Sequence, residues 1–270
     1  MRPRIQGSTA LITGASAGIG AELAREFARS AKVLILVARR KERLAAMKLE
    51  LESEFKGLRV IDCACDITNR AEVDGMLAQV QSQVGFIDIL VNNAGMGDIG
   101  LFSSAEWTKI SQMLELNMTA LTYLTHRLIQ PMITKRSGAI MMVSSLSSFQ
   151  TLPGFAAYSG TKHYVRGFSE ALRAELRPYG ITVTEVCPGP VATEFASVAV
   201  NDPELALPSF LEISASRCAR EAVSGFKRGK AVVIPGILPR IAMVLQSITP
   251  EPFMRVLLNV IARQIHKSKV

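Results

Sequence analysis

The stretch Thr9–Gly20, TALITGASAGIG, decides the fold of this chain. Its first four residues have the length and apolar character of a buried strand, and a helical pattern follows through Arg29. A glycine-rich turn between a strand and a helix lets backbone N–H groups approach a phosphate, and the start of the helix favours negative charge. The stretch therefore predicts a nucleotide-binding turn, although an ordinary tight turn is the alternative when it is taken alone.

Strand and helix patterns alternate along the following residues. Apolar runs predict further strands at 32–37, 58–64, 87–91, 139–143, 181–186 and 231–234. Helical patterns predict helices at 41–56, 71–84, 104–133, 156–177 and 217–227. This rhythm predicts an α/β fold, a Rossmann-like doubly wound parallel sheet of about seven strands with helices on both faces. Residues 196–212 contain Pro203 and Pro208 and are predicted to form an irregular flap.

The chain shows no break that would divide it into two domains, so residues 1–235 are predicted to be a single Rossmann-fold domain. Beyond it, residues 236–270 contain two apolar patterns at helical spacing, separated by Pro250 and Pro252. Basic residues accompany them, namely Arg240, Arg255, Arg263, His266, Lys267 and Lys269. This tail predicts a C-terminal helical extension packed on the body or on a second subunit. The alternative is peripheral membrane contact, or a lid over an apolar substrate.

Composition limits the class of protein. The 270 residues carry a net charge of +8, but the basic residues are scattered and no stripe alternates basic and aromatic side chains, so nucleic-acid binding is not expected. The four cysteines lack zinc spacing and the histidines form no metal pattern, so no metal site is expected. A reducing cytoplasm is the simplest setting for such cysteines. No run approaches 18 apolar residues, so no membrane-spanning helix is expected.

A candidate acid/base pair stands in the second half of the chain. Ser145 follows a predicted strand, and Tyr158 and Lys162 stand four residues apart on one face of the next predicted helix. An ammonium beside a phenol lowers the pKa of the phenol, which would make Tyr158 a useful acid or base near neutral pH. The alternative is an ordinary exposed pair.

Other polar and glycine-rich segments also follow predicted strands. Because the carboxyl ends of parallel strands meet at one edge, the glycine turn, Arg39, Asp66, Asn93 and Ser145 are expected to gather there, with residues 188–193. Arg39 and Arg40 follow a strand that lacks a terminal acid, and a guanidinium suits a 2′-phosphate. The alternative is that these arginines begin a charged helix.

With these motifs the sequence resembles the short-chain dehydrogenase/reductase family across about residues 7–235. The motifs are Thr13-Gly14-x-x-x-Gly18-x-Gly20, Asn92-Asn93-Ala94-Gly95, Asn117, Ser145, Tyr158-x-x-x-Lys162 and Pro188-Gly189-x-x-x-Thr193. The resemblance implies an NAD(P)-dependent oxidoreductase that transfers a hydride between the cofactor and a carbonyl or secondary alcohol. A cofactor-binding regulator without turnover is the alternative, and the presence of Ser145, Tyr158 and Lys162 argues against it.

The resemblance also implies residue roles. Tyr158 would be the general acid/base, Ser145 would polarise the substrate oxygen, Lys162 would lower the pKa of the tyrosine and bind the nicotinamide ribose, and Asn117 would anchor a water in a proton relay. The implied cofactor contacts are Gly14, Ser16, Ala17, Gly18, Ile19, Gly20, Arg39, Arg40, Asp66, Ile67, Asn93, Ala94, Gly95, Tyr158, Lys162, Pro188, Gly189, Val191 and Thr193.

The pair Ala38-Arg39 matches the NADP-preferring pattern of that family. Many NADP-preferring members have a second basic residue where this chain has Ala17, so NADP(H) is the expected cofactor and NAD(H) stays open. The C-terminal tail favours a hydrophobic substrate such as a ketone, an acyl compound or a steroid-like carbonyl. The helices at 104–133 and 156–177 are the usual dimer surfaces of the family, which implies a homodimer or homotetramer.

Overall fold

Seven parallel strands form the central sheet of the computed structural model, which describes residues 1–199 and 211–267. The strands of this sheet are β1 (Thr9–Thr13), β2 (Val33–Ala38), β3 (Arg59–Ala64), β4 (Ile89–Asn92), β5 (Gly138–Val143), β6 (Ile181–Val186) and β9 (Val232–Val233). Two further short strands, β7 (Val191–Ala192) and β8 (Ile213–Ser214), pair with each other. The predicted doubly wound parallel sheet is confirmed.

The strand order is β3-β2-β1-β4-β5-β6-β9. The chain runs outward from β1 to β3 and then returns to place β4 on the other side of β1. The switch point therefore lies between the carboxyl ends of β1 and β4, which is where open sheets of this type bind ligands.

Helices connect the strands and cover the sheet. They are α1 (Gly18–Ala28), α2 (Lys41–Glu54), α3 (Arg70–Val84), α4 (Trp107–Leu114), α5 (Leu121–Lys135), α6 (Ala156–Leu176), α7 (Glu194–Ala199), α8 (Ala215–Lys227), α9 (Ile237–Ile248) and α10 (Glu251–Lys267). One core joins α1, α2 and α8 to the sheet, and includes Phe27 and Phe226 in edge contact at 5.9 Å between ring centroids. A second core on the opposite face joins α3, α5 and α6 to the sheet through residues such as Leu77, Leu124 and Val165.

The helix boundaries follow from local chemistry. The Asn69 side chain caps α3 by accepting hydrogen bonds from the backbone N–H groups of Ala71 at 3.1 Å and Glu72 at 3.4 Å. The same helix ends at Gly85, whose φ of +72° is easily reached without a side chain. Asn69 therefore fixes the start of α3 after the loop that follows β3.

The single helix predicted for residues 104–133 is wrong in detail. A short 3-10 turn occupies Phe102–Ser104, α4 begins at Trp107, and a π-helix at Glu115–Ala120 separates α4 from α5. The three helical segments from Trp107 to Lys135 follow one another without a gap, so the sequence pattern predicts one helical region. π-Helical turns of this kind are common at functional sites.

The predicted irregular flap at 196–212 is also corrected where the structure describes it. Residues 194–199 form α7, and Ile213–Ser214 forms β8 beside β7. Residues 200–210 of the predicted flap lie outside the described part of the chain. The predicted helix at 41–56 ends two residues earlier, at Glu54.

The start of α9 is anchored to the body by Glu221. Its carboxylate accepts hydrogen bonds from the Gly236 backbone N–H at 3.0 Å and from Arg240 Nη2 at 2.6 Å. The Arg240 Nε also donates to the Ile234 carbonyl at 2.7 Å. The two C-terminal helices nevertheless expose many apolar side chains: Ile237, Leu238, Ile241, Val244, Leu245, Phe253, Val256 and Val260. No helix within residues 1–199 and 211–267 is long and apolar enough to cross a bilayer.

Candidate active site

The glycine-rich turn after β1 is shaped by close approaches of backbone. Gly14 and Gly18 have φ of +66° and +54°, which other residues rarely adopt. A Cβ on Gly20 would lie 2.2 Å from the Gly14 carbonyl oxygen, so no larger residue fits there. Ala17 precedes α1 and supplies no side-chain cap. The first N–H groups of α1 are therefore available to an anion, as phosphate binding at a helix start requires.

A hydrogen-bond network joins this turn to the end of β4. The Thr13 hydroxyl oxygen accepts hydrogen bonds from the backbone N–H groups of Asn93 and Ala94, both at 3.0 Å. The Asn93 amide donates to the carbonyl oxygens of Thr13 at 2.9 Å and Gly14 at 3.3 Å. Asn93 thus holds together the two strand ends that flank the switch point.

Tyr158 and Lys162 lie on the buried face of α6. They are 7% and 6% exposed, so they are not an ordinary surface pair. The Lys162 Nζ donates to the Val143 carbonyl at the end of β5 at 3.2 Å and lies 5.7 Å from the centre of the Tyr158 ring. Ser145 follows the same strand, and its hydroxyl accepts a hydrogen bond from the Ser147 N–H at 3.1 Å.

The two side chains have strongly perturbed pKa values. Burial raises the pKa of Tyr158 to about 12, and a hydrogen bond with the Ser145 side chain acts in the opposite direction. Burial lowers the pKa of Lys162 to about 8, while the nearby Cys187 and Glu185 act to raise it. The direction for Tyr158 is opposite to the one expected from its pairing with Lys162. Desolvation outweighs the ammonium here because the amine is held by the Val143 carbonyl rather than by the phenol.

Asn117 lies in the π-helix and is 1% exposed. Its side-chain oxygen accepts a hydrogen bond from the Met96 N–H at 3.0 Å, and its NH₂ group donates to the Met96 carbonyl at 2.9 Å and to the Thr161 hydroxyl at 3.1 Å. A Cβ on Gly95 would lie 3.2 Å from the Asn117 oxygen and 3.6 Å from the Lys162 Nζ. Asn117 therefore joins the loop after β4 to the helix that carries Tyr158 and Lys162.

The arginines after β2 differ in their surroundings. Arg39 is exposed and makes no ion pair with the residues that the structure describes. Arg40 instead pairs with Glu194 at 2.9 Å and donates twice to the Ser16 hydroxyl, at 3.2 Å each. Arg43 also pairs with Glu194, at 2.8 Å.

Nearly all the predicted site residues line one pocket of about 1230 Å³ at the carboxyl edge of the sheet. They are Gly14, Ser16, Ala17, Gly18, Ile19, Gly20, Arg39, Arg40, Asp66, Ile67, Asn93, Ala94, Gly95, Ser145, Tyr158, Lys162, Pro188, Gly189, Val191 and Thr193. Asn117 does not line the pocket, but its side chain is hydrogen-bonded to the backbone of Met96, which does. The Asp66 carboxylate is engaged locally, since it accepts hydrogen bonds from the N–H and hydroxyl of Thr68 at 3.0 and 2.8 Å.

Sequence reasoning missed several residues at the catalytic end of the pocket. The Phe195 ring lies 5.9 Å from the Tyr158 ring, and Phe195 stands two residues after Thr193, the last residue of a predicted site motif. Further apolar lining comes from Met96, Ile99, Leu152, Phe155, Leu238 and Ala242. The last two belong to α9, so the C-terminal extension contributes to the wall of the pocket. The loop residues among them have no sequence pattern that would have identified them.

Comparisons with known proteins agree with this geometry. The family model described as short chain dehydrogenase matches residues 8–204. The chain is 37% identical over 194 residues to the NADP-dependent 3-hydroxy acid dehydrogenase YdfG of Salmonella typhi, covering 70% of this chain and 75% of that protein. A short-chain dehydrogenase from Sphingobium yanoikuyae in complex with NADPH superposes with a TM-score of 0.77 and 33% identity, over 90% of this chain and 96% of that one. The bulky-bulky ketone specific alcohol dehydrogenase from Comamonas testosteroni gives a TM-score of 0.74 and 30% identity, over 90% and 95% of the two chains.

Proposed function

The chain belongs to the short-chain dehydrogenase family and is an NAD(P)-dependent oxidoreductase, and from that premise we propose that it transfers a hydride between NADP(H) and a hydrophobic carbonyl or secondary alcohol. The observation that supports this most is the convergence of Ser145, Tyr158 and Lys162 with the glycine-rich turn in one pocket. A regulator without turnover would not need these three side chains together.

The residues of the pocket fit a dinucleotide. The tight turn requires glycine at position 20, where a Cβ would meet the Gly14 carbonyl oxygen, and the uncapped start of α1 presents donors suited to a pyrophosphate. Arg39 and Arg40 follow β2 and line the same pocket, which supports their binding of a 2′-phosphate on the adenosine ribose. These two arginines favour NADP(H), so we propose NADP(H) as the preferred cofactor and NAD(H) as a usable one.

The buried side chains suit acid catalysis of carbonyl reduction. The pKa of Tyr158 lies far above neutral pH, so its hydroxyl is protonated and can give a proton to the carbonyl oxygen of a substrate. Ser145 would hold that oxygen, and the Lys162 ammonium would stabilise the phenolate that remains after proton transfer. A nicotinamide cofactor, when bound, supplies the hydride. Asn117 donates a hydrogen bond to the Thr161 hydroxyl, and Thr161 directly precedes Lys162 and lies about one turn after Tyr158 on α6. Through this bond Asn117 positions Lys162 and Tyr158.

The catalytic end of the pocket favours an apolar substrate. Its side chains include Met96, Ile99, Phe155 and Phe195, and α9 adds Leu238. The matched relatives are a 3-hydroxy acid dehydrogenase and a bulky ketone alcohol dehydrogenase. We therefore propose bulky apolar ketones, including acyl and steroid-like carbonyls, as the substrate class.

A panel of carbonyl compounds tests this proposal. The purified protein is given NADPH and a series of ketones that runs from small and polar to bulky and apolar, with 3-oxo acids included, and loss of the reduced-nicotinamide absorbance is followed. We expect kcat/KM to increase with apolar bulk, and the Ser145→Ala variant to lose most of the turnover. A protein that oxidises NADPH with none of the ketones, or that favours the small polar ones, would contradict the proposed substrate class.

We propose that residues 1–235 act as the catalytic domain and residues 236–270 as an extension at the mouth of the pocket. The exposed apolar face of α9 and α10, with basic residues such as Arg255 nearby in sequence, favours peripheral contact with an anionic bilayer. Co-sedimentation with anionic vesicles, with and without residues 236–270, tests this contact. Equal sedimentation of the two proteins would contradict it.

The proposal also includes a homodimer or homotetramer through α5 and α6. Light scattering of the purified protein, which measures the mass of the assembly directly, tests the oligomeric state, and a mass equal to one chain would contradict it.

The four free cysteines, Cys63, Cys65, Cys187 and Cys218, favour a reducing cytoplasmic setting.

A further inference from the structure

Three consecutive residues after β7 each contact a different part of the pocket. The Thr193 side chain packs on the glycine turn, where a Cβ on Gly18 would lie 3.2 Å from it. Glu194 reaches the arginines at the start of α2, and the Phe195 ring packs at 5.9 Å on the ring of Tyr158. This tripeptide therefore bridges the cofactor side and the catalytic side of the pocket.

The Glu194 carboxylate occupies a binding position that suits an anion. Its Oε2 accepts a hydrogen bond from Arg40 Nη1 at 2.9 Å, and its Oε1 accepts one from Arg43 Nη1 at 2.8 Å. The other edge of the Arg40 guanidinium, Nε and Nη2, donates to the Ser16 hydroxyl at 3.2 Å. Planar guanidinium groups bind carboxylate and phosphate oxygens with the same geometry. The Glu194 carboxylate thus occupies a position on Arg40 and Arg43 at which these guanidinium groups would also bind phosphate oxygens.

The charge of Glu194 is compatible with an exchange between its carboxylate and a phosphate on Arg40 and Arg43. Hydrogen bonds from Arg40 and Arg43 lower the pKa of Glu194, so the side chain is an anion at neutral pH. Ser16, Arg40 and Glu194 all line the same pocket, next to Arg39. A phosphate bound at Arg39 therefore shares this pocket with the Arg40 guanidinium that Glu194 holds.

We infer that Glu194 is an internal competitor for Arg40 and Arg43, and thereby a determinant of cofactor choice. The inference rests on the proposed use of NADP(H), whose 2′-phosphate is the anion that must share or displace this carboxylate. NADH lacks that phosphate and leaves the ion pairs in place. Glu194 accordingly weakens the binding of NADPH and has no effect on the binding of NADH.

The variant Glu194→Gln tests this competition because it keeps the size of the side chain and removes its charge. Dissociation constants for NADPH and for NADH are measured by cofactor fluorescence at one fixed ionic strength. Exposed ion pairs are individually weak, so we expect NADPH to bind about two- to fivefold more tightly to the variant, with NADH unchanged. A thermal melt checks that the variant is folded.

Glu42→Gln is the matched control. Glu42 is exposed on the first turn of α2, close to the same arginines in sequence, but it does not line the pocket. Its removal lowers the negative charge of the surface without freeing Arg40. We expect this control to leave the ratio of the NADPH and NADH dissociation constants as it is in the unsubstituted protein.

Several results would overturn the inference. One is an NADPH dissociation constant that does not change in Glu194→Gln, or that falls equally in Glu42→Gln. Another is weaker NADPH binding by Glu194→Gln, which would show that the carboxylate orients Arg40 for the phosphate. If the unsubstituted protein binds neither dinucleotide, the proposed function itself fails. If the protein binds both cofactors but Glu194→Gln does not change NADPH binding selectively, the inference about Glu194 fails and the proposed function stands.

Discussion

Replacing Lys162 by methionine should stabilise the fold at neutral pH while it abolishes turnover. Lys162 is 6% exposed, and its Nζ donates a hydrogen bond to the uncharged Val143 carbonyl. Burial lowers the pKa of Lys162 from 10.5 to about 8. At pH 7 the folded protein therefore carries a buried ammonium, which lowers the free energy of unfolding. Methionine has a similar length, fills the same space and carries no charge.

The magnitude follows from the two pKa values. Because the folded pKa of about 8 lies below the unfolded value of 10.5, the unfolded chain binds more protons between these two pH values. The cost is therefore complete below pH 8 and disappears as the pH rises toward 10.5. One pKa unit corresponds to about 1.4 kcal/mol, which gives a cost of about 3 kcal/mol at pH 7 and about 1 kcal/mol at pH 10. The Val143 carbonyl left without a donor offsets about 1 kcal/mol of the gain at every pH.

Urea unfolding of the unsubstituted protein and of Lys162→Met at a series of pH values between 7 and 10 measures this difference. We expect the advantage of the variant in unfolding free energy to shrink by about 2 kcal/mol over that range, with equal m-values. Lys227→Met, at an exposed position at the end of α8, is the control and should show no such trend. A difference that stays constant with pH, or a variant less stable at pH 7 than at pH 10 relative to the parent, would refute the buried-ammonium reasoning.

Three other substitutions test separate parts of the site. Arg39→Asp should reverse the preference between NADPH and NADH in kcat/KM, because it replaces the proposed phosphate-binding cation by an anion, and an unchanged ratio would count against that role. Asn117→Ala removes three buried hydrogen bonds and should lower the unfolding free energy by about 2 kcal/mol, together with kcat; full stability in urea would contradict the bridging role. Gly20→Ala should weaken NADPH binding at least about tenfold, because its Cβ would meet the Gly14 carbonyl at 2.2 Å. Gly75→Ala is the control, because Gly75 has open space around it in the exposed part of α3, and it should stabilise the protein by about 0.5–1 kcal/mol. Equal dissociation constants for NADPH in the two variants would show that the glycine turn is not sterically special.

The parts of the fold that sequence predicts well are those with a local physical cause. Buried parallel strands are short apolar runs, and the strand ends carry the polar residues of the site, so the edge at which Asn93 and Ser145 meet follows from the alternation of elements alone. The glycine turn is equally local, since Gly20 is required by a contact with Gly14 only six residues away. The seven-stranded sheet was therefore within reach of the sequence.

Features that depend on distant partners could not be predicted in the same way. The π-helix at Glu115–Ala120 follows α4 and precedes α5 without a gap, and the side chain of Asn117 is held by residues of other segments. The pairing of Arg40 with Glu194 could not be predicted, because the two residues are 154 positions apart in the chain. The pKa of Tyr158 depends on how deeply the fold buries the ring, which the spacing to Lys162 does not indicate.

The most direct test of the central claim is a comparison of turnover and cofactor binding in Tyr158→Phe. The claim is that the buried hydroxyl of Tyr158 supplies the proton that accompanies hydride transfer. It predicts that kcat on the best ketone of the panel falls by at least about a hundredfold, while the dissociation constant for NADPH stays within about twofold of the parent value. A variant that retains kcat within about tenfold of the parent would contradict it, because general acid catalysis is worth more than that.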